Sequence, residues 1–172
     1  MKKVYPSSTS DFMMNYLFRY FLASGTEIAK SDDVGLVLRA HLLAELLMDS
    51  ILKKNTRNHR LIKRRDLHFS MKLAVVDSFG LIPEKTVHAL ETLNVIRNKF
   101  AHDVRMKLKN LDLSGLDQRP VEEFERKALK RAVRQLRSKE AVKRIIFANL
   151  MGGWLTSLAR QAFGPKNSGV GR

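Results

Sequence analysis

The chain has 172 residues, which at about 150 residues per domain corresponds to one domain with a short appendage. Hydrophobic residues make up 44% of it and charged residues 28%, a balance that favours a folded core over a wholly disordered chain. Because the chain contains no cysteine, disulfide scaffolds, thiolate zinc sites and cysteine nucleophiles are excluded. The net charge of +15 indicates a polyanionic partner, which means nucleic acid, an anionic membrane or an acidic protein.

Helical periodicity runs through nearly the whole chain, and no segment has a convincing strand pattern. The predicted helices cover, with approximate bounds, residues 11–23, 34–53, 70–78, 84–102, 121–138 and 141–162. Asp33 is the expected N-cap of the second helix, Gly80 ends the third, and Pro83 opens the fourth. The apolar stripe of the second helix is expected to include Val34, Val37, Leu38, His41, Leu42, Glu45, Leu46 and Ile51.

These elements predict an all-α protein, a bundle of five or six helices. We expect an N-terminal helix and linker over residues 1–33, a helical core over 34–106 and a disordered tail over 164–172. Basic C-terminal helices over 107–163, entered through a linker at 107–120, are expected to pack on the core or on a partner subunit. With no signal peptide and no apolar segment of the roughly 20 residues that a membrane span needs, the expected location is cytoplasmic.

The positive charge is concentrated after residue 52, since residues 1–52 carry a net charge of −1 and residues 53–172 carry +16. The first cluster contains no acid and consists of Lys53, Lys54, Arg57, Arg60, Lys63, Arg64 and Arg65. The second has nine basic residues between positions 126 and 144 against one Glu140, among them Lys127, Lys130, Arg131, Arg134 and Arg137. Such clusters favour a phosphate-binding surface, with solvated helix faces and a solvated loop as the alternative.

Polar residues interrupt the apolar pattern near the end of the helix over 84–102, where Arg97 and Asn98 precede His102. Five helical steps leave Arg97 and His102 about 140° apart around the axis, whereas Asn98 and His102 share a face. A histidine moves protons near neutral pH, and an arginine holds a phosphate and stabilises added negative charge. The group suits metal-independent RNA cleavage in which the 2′-hydroxyl is the nucleophile. A capping histidine beside a surface arginine is the alternative.

The stretch Arg97-Asn98-Lys99-Phe100-Ala101-His102 resembles the R-N-x-x-x-H motif of the HEPN superfamily. The segments His41–Asp49 and Leu67–Leu73 look like HEPN-like domains of the mannitol-repressor and related bacterial types. The resemblance covers residues 34–104 and implies an all-α HEPN-like core. It further implies a homodimer in which two copies of the motif form a composite site, with Arg97 and His102 catalytic and Asn98 orienting them.

Three functions follow from these features. The first is a metal-independent endoribonuclease of a toxin, defence or RNA-processing kind, with His102 as general acid/base and Arg97 as phosphate clamp. Glu45 is a weaker catalytic candidate that could pair with Arg97; the alternative is a half-exposed or structurally paired carboxylate. Lys99 and Arg105 are expected to extend the RNA-binding surface. The expected partners are RNA, a second copy of the chain and an antitoxin or regulatory protein.

The second function is a non-catalytic HEPN-like regulator that binds nucleic acid or a protein through its basic helices, and the third is a membrane-surface protein. His41 is expected to be a packed core residue. No sequence motif for a metal or a phosphate-binding glycine loop is present, so no metal and no other cofactor is predicted.

Overall fold

The computed structural model describes residues 32–57, 67–116, 134 and 138–164. Four α-helices lie in these ranges: α1 (Asp33–Asn55), α2 (Phe69–Ser78), α3 (Glu84–His102) and α4 (Lys139–Phe163). Two short 3₁₀ helices, Leu108–Asn110 and Ser114–Leu116, lie between α3 and α4, and the described ranges contain no strand. The prediction of an all-α protein is therefore confirmed over these residues. The helices expected over 11–23 and 121–138 lie outside them, apart from Arg134 and Ser138.

The first residues of α1 correct the sequence-based assignment of its N-cap. Asp32, and not Asp33, caps the helix, because its carboxylate accepts hydrogen bonds of 2.9 Å from the backbone N–H groups of Val34 and Gly35. Asp33 is 4% exposed and turns inward, where it accepts from the Leu108 N–H and from Arg144 Nε. The two neighbouring aspartates thus have different roles, one local and one tertiary.

The buried face of α1 also differs from the predicted stripe. Val37, His41 and Ile51 are buried as expected. Val34, Leu38, Leu42 and Leu46 are exposed, so the prediction was wrong for these four residues. The core is instead completed on the other side of the helix by Leu36, Ala40, Leu43, Ala44, Leu47, Met48 and Leu52.

The contacts at the two ends of α1 fix the direction of its neighbours. At its start Asp33 meets Arg144 near the start of α4, and at its end Lys54 Nζ donates to the carbonyls of Gln161 and Gly164. Helices α1 and α4 therefore run parallel. The chain leaving α3 returns to the start of α1 through Leu108, so α3 runs antiparallel to α1.

Turns and connections complete one hydrophobic core that α1, α2, α3 and α4 share. Gly80 ends the turn after α2 with a φ of 59°, and Pro83 is the N-cap of α3, in agreement with the sequence signals. On α3, Ile96 is buried in this core and the neighbouring Val95 is exposed. Residues 107–116, expected to be a linker, bury four leucines in the same core, and Trp154 Nε1 donates to the Leu116 carbonyl at 2.8 Å.

Candidate functional site at the end of helix α3

The three motif residues lie in the last turns of α3, but on two different faces. Asn98 and His102 are exposed, whereas Arg97 is half-buried on the side of the helix that faces the core. This is the arrangement that a rotation of about 140° over five residues predicts. Within one chain, the structure therefore brings Asn98 and His102 to a common surface and leaves Arg97 beside it.

Arg97 is connected to the motif through its neighbour. Its Nη1 donates to Asn98 Oδ1 at 3.1 Å, while its Nε is buried and has no hydrogen-bond partner among the described residues. An unsatisfied buried donor costs about 1–3 kcal/mol, so this nitrogen offers a hydrogen bond to an acceptor that reaches it. One of the five N–H donors of the guanidinium is therefore used within the motif, and the buried Nε–H has no partner among the described residues.

His102 is the C-terminal residue of α3 and lies in solvent. No described residue forms a hydrogen bond with its ring, so neither ring nitrogen is oriented by a partner within that part of the chain. A general acid/base needs a defined ring orientation to be effective. A single chain thus presents the histidine without the group that would orient it.

Exposed cations flank His102 along the segment that ends α3 and follows it. Lys99 and Arg105, which the sequence nominated, are exposed there, and so is Lys107, which sequence reasoning missed. Asp103 is the one acid between residues 97 and 107, and its Oδ1 accepts from the Arg105 backbone N–H. This segment has the positive charge and the exposed donors that a phosphate-binding surface requires.

Glu45 does not belong to this group. Its Oε1 accepts from Lys72 Nζ at 2.8 Å, and Asp49 Oδ2 accepts from the same nitrogen at 3.0 Å. Burial alone would lower the pKa of Lys72, but its two carboxylate partners outweigh burial and raise it. The expected pair between Glu45 and Arg97 is thus replaced by an ion pair that joins α1 to α2.

His41 is a packed core residue, as its place on the apolar stripe predicted. Its ring stacks on Phe69 with centroids 4.1 Å apart, and its Nε2 lies 3.3 Å from Asn94 Oδ1. Burial lowers the pKa of His41, and the positive charge of Arg97 adds to the lowering against the opposing effects of Asn94 and Glu45. Burial and the charge of Arg97 thus both favour the neutral form of the His41 imidazole.

The first basic cluster begins at the other end of the bundle. Lys53 and Arg57 are exposed there, but Lys54 is half-buried, and its amine donates to the Gln161 carbonyl of α4 and to the carbonyl of Gly164 just after α4. The 23 residues of α1 separate this end from the end of α3 by about 33 Å. The two regions are therefore far apart in space.

The remaining predicted phosphate contacts fall largely outside the described residues. Arg134 is described and exposed. Those outside the described ranges are Arg60, Lys63, Arg64, Arg65, Lys127, Lys130, Arg131 and Arg137.

Comparisons with protein-family models, with curated proteins and with solved structures found no match. In the part of the chain that the structure describes, no group of three or more His, Asp or Glu side chains is placed to hold a metal ion. None of the described helices combines the length and the hydrophobicity that crossing a bilayer requires.

Proposed function

We propose that this protein is a metal-independent endoribonuclease of the HEPN type that acts as a homodimer. The observation that carries the proposal is the solvent-exposed His102, which lies one turn after Asn98 and is flanked along the chain by the exposed Lys99, Arg105 and Lys107. The resemblance of residues 97–102 to the R-N-x-x-x-H motif supports it, as does the net charge of +16 after residue 52. Within this proposal the described helices belong to a HEPN-like core in a bundle of five or six helices.

The chemistry requires one proton carrier and one cation. His102 takes the proton from the 2′-hydroxyl, the 2′-oxygen attacks phosphorus, and the bond from phosphorus to the 5′-oxygen breaks. The leaving oxygen receives a proton from the imidazolium, and the products are a cyclic 2′,3′-phosphate and a 5′-hydroxyl. Arg97 stabilises the additional negative charge of the pentacoordinate intermediate, and the exposed lysines and Arg105 hold the neighbouring phosphates.

A second copy of the chain is part of the proposal because one copy lacks a complete site. Arg97 and His102 lie on different faces of α3, and the described hydrogen bond of Arg97 goes to Asn98 and not to His102. A second motif opposite the first would place an arginine from one subunit near the histidine of the other. The composite site that the HEPN resemblance implies would therefore supply what α3 alone does not.

The test is an RNA cleavage assay with the purified protein in the presence of EDTA. The wild type should cleave RNA and leave DNA of the same sequence intact, because DNA lacks the 2′-hydroxyl. His102→Ala should reduce cleavage by at least about 100-fold, the usual contribution of a general acid/base. His88→Ala is the matched control, since His88 is another exposed histidine of α3 and interacts with Glu84 and Glu91. Equal cleavage by wild type and His102→Ala would refute the assignment.

A non-catalytic regulator that binds nucleic acid is the second candidate, and the position of Arg97 favours it. The side chain is half-buried, hydrogen-bonded to Asn98 and close enough to His41 to influence its pKa, which is also what a structural arginine would do. This function predicts salt-sensitive RNA binding without cleavage. Lys99→Ala should then lower the salt slope by about one unit if that lysine contacts one phosphate. Cleavage that depends on His102 would rule this candidate out.

A further inference from the structure

The start of α4 lies beside the end of α3 that carries the motif. Buried Asp33 of α1 accepts from the Leu108 N–H, shortly after α3, and from Arg144 near the start of α4. The segment that follows α3 and the first turns of α4 therefore meet at one end of the bundle. We call this region the basic end and define it by its surface cations, which are Lys99, Arg105, Lys107, Lys109, Lys139 and Lys143.

Two of these lysines attach the segment after α3 to α4. Lys143 Nζ donates to the Leu111 carbonyl at 2.9 Å, and Lys109 Nζ forms an ion pair with Glu140 at 2.7 Å. The positions of the cations on the two elements are therefore fixed relative to each other.

The exposed Asp112 shows that cations of α3 and α4 share this surface. Hydrogen bonds from the Ser114 backbone N–H and hydroxyl are the main cause of the lowered pKa of Asp112, and the positive charges of Lys143 and Lys99 lower it further. A lysine of α4 and a lysine of α3 thus act on the same carboxylate, so the basic end is one continuous surface.

The surface acids of the basic end leave most of its cations without an ion pair. Glu140 is paired with Lys109, whereas Asp103 and Asp112 accept from the backbone N–H groups two residues further along the chain. Within the part of the chain that the structure describes, five cations of the basic end form no ion pair: Lys99, Arg105, Lys107, Lys139 and Lys143. Their charge is available to an anionic ligand.

Lys139 is a cation that the stability of the helix does not explain. It is exposed and is the first residue of α4, where a positive charge opposes the helix dipole. Lys99, in contrast, lies in the last turn of α3, where the dipole favours a cation. The unfavourable position of Lys139 indicates a role in binding an anion.

We propose that an RNA strand bound at His102 continues across the segment after α3 to the first turns of α4, where Lys107, Lys139 and Lys143 hold its phosphates. The inference rests on the proposed function for the identity of the polyanion. Phosphate contacts carry affinity but no sequence information, so the basic end accepts RNA of any sequence. Lys53 and Arg57 lie at the opposite end of the bundle, about 33 Å away, and are not part of this surface.

Binding of a single-stranded 2′-O-methyl RNA oligonucleotide tests the inference without cleavage, because the 2′-oxygen is blocked. Fluorescence anisotropy on the full chain between 50 and 200 mM salt gives the affinity and its salt dependence. Each lost phosphate contact lowers the slope of log K against log[salt] by about 0.7. Lys139→Gln should therefore lower the slope by about 0.7 and Lys107→Gln/Lys139→Gln by about 1.4, alike for oligonucleotides of unrelated sequence.

Lys85→Gln is the matched control. Lys85 is also exposed and also lies in the first turn of its helix, α3, but about 21 Å from Lys99, and the substitution removes the same charge as Lys139→Gln. Its slope should equal that of the wild type. Equal effects of Lys85→Gln and Lys139→Gln would show a general effect of net charge and would overturn the inference.

Two further outcomes separate this inference from the proposed function. An unchanged slope for Lys139→Gln in a protein that still cleaves RNA through His102 would overturn the surface and leave the nuclease in place. The expected slopes without any cleavage of unmodified RNA would support the surface and refute the nuclease. A lowered slope for Lys53→Gln/Arg57→Gln, with none for Lys139→Gln, would place the strand at the opposite end and overturn the inference.

Discussion

Replacing Asp33 with alanine should destabilise the protein far more than replacing Asp32, although the two residues are neighbours. Asp33 is buried, accepts from the Leu108 N–H at 2.9 Å and forms an ion pair with Arg144, whose side chain is 19% exposed. Breaking a buried pair by removing one partner costs about 3–5 kcal/mol, and we take about 3 kcal/mol because Arg144 keeps some contact with water. The amide of Leu108 left without an acceptor adds about 1 kcal/mol.

The expected loss for Asp33→Ala is therefore about 4 kcal/mol, and for the N-cap variant Asp32→Ala about 1 kcal/mol. Asp33→Asn should cost about 3 kcal/mol, because the amide oxygen can still accept from Leu108 while the charge is lost. Urea unfolding followed by circular dichroism measures all three variants on the full chain. A loss for Asp32→Ala as large as that for Asp33→Ala would refute the division of roles between the two aspartates.

A double-mutant cycle isolates the ion pair from the other contacts of its partners. Arg144→Met alone and Asp33→Ala/Arg144→Met should complete a cycle with a coupling energy of about 2 kcal/mol, within the range for residues in direct contact. The other interactions of Arg144 cancel in such a cycle. Additive losses would show that the two side chains do not stabilise each other.

Three further predictions concern the core and the turn after α2. Burial lowers the pKa of His41 below its unfolded value of 6.5, so the unfolded chain binds the proton first as the pH falls. The free energy of unfolding should therefore be at its full value above about pH 6.5 and should decrease as the pH drops from there toward the folded pKa. His41→Gln should flatten this dependence in urea titrations between pH 7.5 and 5, and identical slopes would contradict the buried neutral imidazole. Trp154→Phe should lower the free energy of unfolding by about 2 kcal/mol, because the Leu116 carbonyl loses its donor; an unchanged denaturation midpoint would count against that hydrogen bond. Gly80→Ala should cost about 1 kcal/mol in thermal melts from its φ of 59° alone, since an added Cβ meets open space, and no change in Tm would mean that the turn has another conformation.

Local signals in the sequence were sufficient to locate the helices α2 and α3. The expected bounds of α3 agree with the observed Glu84–His102, and those of α2 with Phe69–Ser78 within one residue. Pro83 and Gly80 act through their own backbone conformations, so their positions need no tertiary information. His41 followed from its place among apolar residues at helical spacing.

The choice of partners could not be made in the same way. Asp32 and Asp33 are equally good N-caps by residue type, and only Arg144, 111 residues away, decides which of them turns inward. Glu45 binds Lys72 because α2 crosses α1 at that level, and no spacing in the sequence reveals it. The sequence identified the motif residues Arg97, Asn98 and His102. It did not identify the neighbouring Lys107, because this lysine belongs to no motif and its exposure to solvent is a property of the folded chain.

The sequence by itself determined the helical class, the absence of thiol chemistry and the amount and position of the positive charge, because these depend on composition and on local periodicity. Tertiary structure decided which side of α1 is buried, since a helix with leucines all around it can pack either way until α4 and α3 are in place. It also decided that the cations at the end of α1 lie about 33 Å from the motif at the end of α3, because the parallel and antiparallel order of rigid helices, and not distance along the chain, sets that separation.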